Sequence, residues 1–382
     1  MRFKNAIPVL VSCVLLLTCF GCRSGGLSDT NSDKESNSEE KIMNIRDISA
    51  KELVSEMKIG WNLGNTLDAA GSKGLDAETS WGNPKTSEDM IRFVKDAGFN
   101  VLRVPVTWDG HMDENYNVDP EWMARVKQVV DYGINNGLYV ILNTHHEEWY
   151  YPDADNKNED IKQIKALWSQ IADEFKGYDE HLVFEGLNEP RLRNTAFEWN
   201  GGTPAAQEIV NEYETAFYET VRNSGGNNAK RHLMITGYAA SSQSSSLEAI
   251  KLPENDNKII VSVHAYLPYS FALDTQGTDK FDEKTDACSI DSLFANLNKL
   301  FLKKDIPVII GEFGSVNKYN EQDRIECAKY YLSMAKKFGV PCVWWDNGEF
   351  VGSGENFGLM RREAPASWEF EQLVSVMTDI VK

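Results

Sequence analysis

Eight short apolar segments recur along this 382-residue chain, each followed by a longer amphipathic one, and that alternation limits the fold more than any other feature. They are "MKIGWNLG" near 57–64, "NVLRVPV" at 100–106, "LYVILNTHH" at 138–146 and "LVFEGLNEP" at 182–190. "HLMITG" at 232–237, "IIVSVHAY" at 259–266, "PVIIGEFG" at 307–314 and "PCVWWDNG" at 341–348 complete the set. Between them lie segments such as "SEDMIRFVKDAGF", "EWMARVKQVVDYGINNG" and "DRIECAKYYLSMAKKFG". Their apolar residues recur at intervals of three and four, and they end near Gly98, Gly137 and Gly339, the pattern of amphipathic helices with glycine stops. Repeated βα units of this number predict an α/β fold, a single (β/α)8 TIM barrel over residues 45–382. A doubly wound open sheet is the alternative, but the glycine fingerprint of a dinucleotide site is missing. No internal repeat or second-domain linker is visible.

The chain ahead of the barrel reads differently. Arg2 and Lys4 precede an apolar stretch from Ile7 to Phe20, then Gly21 and Cys22, the layout of a bacterial secretory signal over residues 1–22. Gly21 before Cys22 resembles a lipoprotein processing site with Cys22 as the lipidated residue, although Cys19 stands where an aliphatic residue is usual. The apolar run is shorter than the ~20 residues a spanning helix needs. Residues 23–44 are rich in Ser, Asp, Glu, Gly and Asn and cannot bury apolar surface, so a flexible polar linker is expected. The expected location is therefore outside the cytoplasm, secreted or tethered to the cell surface, with membrane contact only through a lipid anchor. Beyond Cys22, Cys288, Cys327 and Cys342 have neither disulfide nor zinc spacing, so stability must come from a core.

A formal net charge of -19 repels nucleic acid and anionic substrates, which leaves a neutral ligand as the best fit. The ten tryptophans raise the question of what their rings stack on.

In a barrel of this kind, reactive groups stand at the carboxyl ends of the strands. Reading each segment to its end gives Asn62, Arg103, His145 with His146, Asn188 with Glu189, His264 with Tyr266, Glu312 and Trp345. One polar strand end means little, but seven of eight converging on one rim imply a site; the fifth segment, ending at Gly237 and Tyr238, is the exception. Glu189 and Glu312 end the fourth and seventh strands, so a closed barrel sets them facing each other across its axis. Glycoside hydrolysis needs such a pair: one carboxylic acid protonates the leaving oxygen while the other attacks, or activates water. Glu185, inside the fourth segment, needs a basic or hydroxyl partner if it points into the barrel.

The strings "GLNEP", "GEFG", "LRVPVTW" and "HAY", in register with those strands, resemble glycoside hydrolase family 5, a retaining family of clan A. "WNLGNTLDA", "TSWGNP", "ILNTHHE" and "WWDNG" resemble its bacterial endo-β-1,4-glucanase branch, over roughly residues 45 to 380. The resemblance implies that Glu189 is the acid/base and Glu312 the nucleophile. It implies that Asn188 bonds the sugar 2-hydroxyl, and that Arg103 and Tyr266 hold Glu312 aimed and ionised. His264 would stand beside the acid/base, His145 and His146 would meet sugar hydroxyls, and Trp345 would floor the cleavage subsite. A protonated Glu189 calls for burial with little positive charge around it. No cofactor and no metal is implied, and the enzyme is expected to act as a monomer on a β-glucan.

Other readings compete at single residues. "THHEE" could bind a metal, but adjacent strand residues point to opposite faces and no third ligand spacing supports it. Trp61 and Trp81 are candidate sugar platforms or core residues, and Asn62 either bonds a hydroxyl in an adjacent subsite or shapes a turn. Only one of Trp344 and Trp345 can face the rim, and Trp345 is the choice. Trp149, Tyr150 and Tyr151 line the cleft or merely pack. The implied substrate is a cellulose-type β-glucan. A xyloglucanase, a mixed-linkage glucanase or a β-mannanase on the same barrel are the nearest alternatives. A non-catalytic glycan-binding lipoprotein would need neither Glu189 nor Glu312.

Overall fold

A computed structural model describes residues 42–382; the signal, Cys22 and most of the polar linker lie outside them. Eight parallel strands close into a barrel in chain order. They are β1 (Ile59–Leu63), β2 (Val101–Val104), β3 (Tyr139–Asn143), β4 (Leu182–Glu185), β5 (Leu233–Ser241), β6 (Ile259–His264), β7 (Val308–Phe313) and β8 (Cys342–Asp346). β8 pairs back onto β1 from Ile59↔Cys342 to Leu63↔Asp346, which abolishes sheet edges. All eight apolar segments thus become strands, and the open sheet is excluded.

The helices form where local chemistry satisfies their ends. Ser49 and Glu52 make a reciprocal capping box on helix Ala50–Glu56. Ser87 caps Glu88–Asp96, and Thr203 caps Pro204–Asn223 with proline in the first turn. Helix Glu321–Phe338 stops at Gly339, whose φ of 67° is a conformation glycine adopts without a side-chain clash.

Strand parity divides the barrel interior into an apolar floor and a polar layer. Val101, Ile141, Val183, Met234, Ile260, Ile309 and Val343 point inward, and Ala50, Leu53, Val54 and Met57 plug the amino-terminal end beneath them. Burying side chains of this kind is worth about 1.5–3 kcal/mol each. Two residues further along, the same inward face carries Arg103, Asn143, Glu185 and Ser262, all buried. Glu185 is therefore inside the barrel because Val183 is.

Candidate active site

The polar layer is organised around Arg103, which has no solvent exposure. Its Nε donates to Glu185 Oε2 at 2.7 Å, its Nη1 to Glu312 Oε1 at 2.8 Å and to Asn62 Oδ1 at 3.0 Å, and its Nη2 to Asn188 Oδ1 at 2.8 Å. Glu185 also accepts from Asn143 at 3.1 Å and from the Ser262 hydroxyl, so its expected basic and hydroxyl partners are both present. One guanidinium thus ties the second, fourth and seventh strands together through two carboxylates.

Glu312 reaches this group through an irregularity. Ile309 packs inside the barrel and Phe313 packs outside it with the helices, so strict alternation fails between them. Register shifts on both sides of β7 accommodate the change and bring Glu312 opposite His264. There Glu312 Oε2 accepts from the Tyr266 hydroxyl at 2.8 Å.

Glu189 arrives from beyond the end of β4. Gly186 makes the passage possible: a Cβ there would run into the Glu214 carboxylate and the Phe217 ring. The Gly186 carbonyl is held by the Thr144 hydroxyl at 2.8 Å and by Trp168 Nε1 at 3.1 Å. Glu189 Oε1 lies 2.8 Å from His264 Nδ1, and that nitrogen is 3.6 Å from Glu312 Oε2. A Glu189 oxygen, a His264 nitrogen and a Glu312 oxygen all fall within 4.8 Å of one another.

The proton distribution differs from the sequence expectation for Glu189. Burial pushes its carboxyl up, but the hydrogen bond and charge of His264, with Arg191 and His146, outweigh burial and leave it below the usual range. Burial pulls His264 down, and the charges of Glu312 and Glu189 overcome that and raise it. The two shifts run in opposite directions and both favour the charged form, an ionised Glu189 beside a protonated His264. Burial holds His145 well below the usual histidine range, with positive neighbours adding to the effect, so its imidazole is neutral. His146 is lowered to about 4, again chiefly by burial.

Trp345 stacks on His145 with ring centroids 5.5 Å apart and an interplanar angle of 3°. Trp344 turns the other way, into the main core, and bonds the Phe357 carbonyl through Nε1. Asn62 departs from the expectation of a sugar contact or a turn. It is buried in β1, and its amide donates toward the Gly311, Val343 and Trp344 carbonyls while its oxygen accepts from Arg103. Trp61 is core, fully buried with Nε1 on Asp346. Trp81 is 38% exposed and tilts against His146, leaving apolar ring surface free at the rim. Asp68 supplies the third ligand-type group that spacing lacked beside His145 and His146, but its oxygens already accept from the Asn65 and Thr66 amides.

A family model for cellulase (glycosyl hydrolase family 5) matches residues 67–351. Endoglucanase B of Ruminococcus albus is 60% identical over 331 residues, covering 86% of this chain and 80% of the relative. This chain belongs to glycoside hydrolase family 5. Among solved structures, a broad-specificity endoglucanase from Ruminococcus champanellensis with bound cellotriose superposes with a TM-score of 0.85 at 44% identity. That match covers 88% of this chain and 100% of the other. A xyloglucan-specific endo-β-1,4-glucanase from a metagenomic library, in complex with cellotriose, gives a TM-score of 0.83 at 40% identity, covering 86% and 98%.

Several residues that shape the site of this glycoside hydrolase escape a reading of strand ends. Glu147 is buried and accepts from the Trp108 and Asp109 amides at 2.6 and 2.8 Å and from Trp149 Nε1 at 2.9 Å, clamping the loop after β2 to the loop after β3. Trp149 and Tyr150 are thereby scaffold, the latter bonding the His145 carbonyl at 3.0 Å. Tyr238, from the strand that offered no site residue, holds the loop after β4 through the Leu192 amide and the Phe197 carbonyl. The glutamate of "THHEE" was a visible signal; the loop contacts had none.

Proposed function

We propose that this glycoside hydrolase is a retaining endo-β-1,4-glucanase that cleaves internal linkages of cellulose-type β-glucans by double displacement. The observation that carries this reading is the pairing of Glu189 and Glu312, with oxygens within 4.8 Å. Carboxyl groups about 5–5.5 Å apart leave no room for an intervening water, so the second attacks carbon directly. Glu312 is the nucleophile, oriented by Arg103 and Tyr266. Glu189 is the acid/base. A sugar seated over Trp345 excludes water, which strengthens the burial effect on Glu189 and draws the proton from His264 across their hydrogen bond. Glu189 then protonates the departing glycosidic oxygen as Glu312 bonds the anomeric carbon. The ester has no charge, so Glu189 loses a repelling neighbour, ionises readily and activates the incoming water. Asn188, fixed by Arg103, bonds the sugar 2-hydroxyl, and His145 and His146 meet other hydroxyls.

The structural relatives that bind cellotriose include broad-specificity and xyloglucan-specific enzymes, which supports a β-glucan backbone with tolerance of substituents. The amino-terminal signal and Cys22 support export and a lipid anchor, and one barrel carries both carboxylates, consistent with a monomer. Alanine at Glu189 or at Glu312 should abolish hydrolysis of carboxymethylcellulose; near-wild-type activity in either variant would overturn the assignment. Rates on cellulose, lichenan, xyloglucan and mannan then rank the substrates, and preference for mannan would replace the glucanase reading.

A further inference from the structure

Asn143 is the last residue of β3, fully buried in the polar layer two residues before His145. Its surroundings decide which way its amide faces. Oδ1 accepts from the Val106 backbone N–H at 3.2 Å, and Nδ2 lies 3.1 Å from Glu185 Oε2. Turning the amide over would set a donor against the Val106 N–H and an acceptor against a carboxylate already paired with Arg103. Nδ2 therefore has one hydrogen for Glu185 and a second for its other neighbour, His145 Nδ1, at 3.2 Å.

A donor facing Nδ1 leaves that nitrogen one state. It must present its lone pair, because an N–H there would meet the Asn143 N–H head on. A doubly protonated imidazolium fails for the same reason, so the single ring proton is on Nε2. The ring is held in place, stacked on Trp345 and edge-on to His146 at 4.5 Å. The backbone is pinned as well: the His145 N–H donates to the Val106 carbonyl at 2.8 Å, and the His145 carbonyl accepts from Tyr150. Nε2 lies 4.0 Å from Glu312 Oε1, beyond hydrogen-bond distance.

We propose that Asn143 is a positioning residue that locks His145 as the neutral Nε2–H tautomer, so that His145 serves the reaction only as a hydrogen-bond donor, to an oxygen of the glucosyl unit over Trp345. A donor suits this place. A basic Nε2 so near Glu312 would take up a proton and pair with the nucleophile, drawing off the charge that attacks carbon. Glu185 holds the Asn143 amide and the Arg103 guanidinium together, so one buried carboxylate orders His145 through the first and Glu312 through the second. The sugar contact rests on the glucanase reading above; the tautomer rests on the hydrogen bonds alone.

Long-range proton–nitrogen NMR of enzyme labelled at its histidine nitrogens reads the tautomer directly. The His145 signals, assigned by their loss in His145→Ala, should show a lone-pair nitrogen at Nδ1 and a protonated one at Nε2 across pH ~5–8. In Asn143→Ala the donor is gone, and the signals should move toward a mixture of tautomers. On cellotetraose, kcat should fall about tenfold in Asn143→Ala, and by no further factor when that change is added to His145→Ala. A proton on Nδ1 in the wild-type enzyme would overturn the proposal, and this measurement serves where Asn143→Ala does not fold. An unmoved tautomer in Asn143→Ala, or independent losses that multiply in the double variant, would overturn it too. Failure of the wild-type enzyme to cleave cellotetraose would instead overturn the glucanase reading and the sugar contact with it, while the spectrum still decides the tautomer.

Discussion

Arg103 Nε lies 2.7 Å from Glu185 Oε2, and neither side chain has any solvent exposure. The same guanidinium reaches Glu312, so a buried ion pair stands directly behind the Glu312 carboxylate. Arg103 faces two carboxylates, and Glu185 fixes its plane while Glu312 uses it.

Glu185→Gln keeps the shape and removes the charge, leaving Arg103 partly uncompensated in the barrel. Breaking a buried pair costs about 3 kcal/mol, which urea unfolding should report, and kcat should fall as Arg103 swings toward Glu312 alone. A variant with wild-type stability and rate would show the pair to be dispensable.

Tyr266→Phe removes one hydroxyl, 2.8 Å from Glu312 Oε2. Hydrogen bonds to charged groups are worth about 1.5–3 kcal/mol, so kcat should drop about 10- to 100-fold. The thermal midpoint should barely change, because the ring remains packed beside Phe357. An unchanged kcat would remove Tyr266 from the machinery.

His111 stacks on Trp122 at 3.8 Å, and neither ring nitrogen has a partner. Burial lowers its imidazole to about 4, against about 6.5 in an unfolded chain. Between those values the unfolded state takes up a proton that the folded state refuses, so stability is lost as pH falls through that window. His111→Phe removes the effect and should stabilise the protein by about 2 kcal/mol more at pH 5 than at pH 8. Equal effects at the two pH values would contradict the sign.

Much of this was legible in residue order. The apolar segments located every strand of the barrel, and their ends brought Glu189, Glu312, Arg103, His264 and Tyr266 to one rim. Asn62 shows where that reasoning stops: a polar strand end looks the same whether it faces a ligand or three carbonyls of its neighbours. Glu312 faces inward only because β7 breaks its alternation, and register shifts leave no mark in hydrophobic periodicity. The positive surroundings of Glu189 left no mark in residue order, because His264 lies far away in sequence yet shares a hydrogen bond with it.

The central claim is that Glu312 attacks the sugar. Incubation with a 2-deoxy-2-fluoro-β-cellobioside carrying a dinitrophenyl leaving group should trap the intermediate, releasing one dinitrophenolate per enzyme. Peptide mass spectrometry should then find the fluorocellobiosyl increment on Glu312. Label on Glu189, or steady turnover of this reagent with no labelled peptide, would contradict the account.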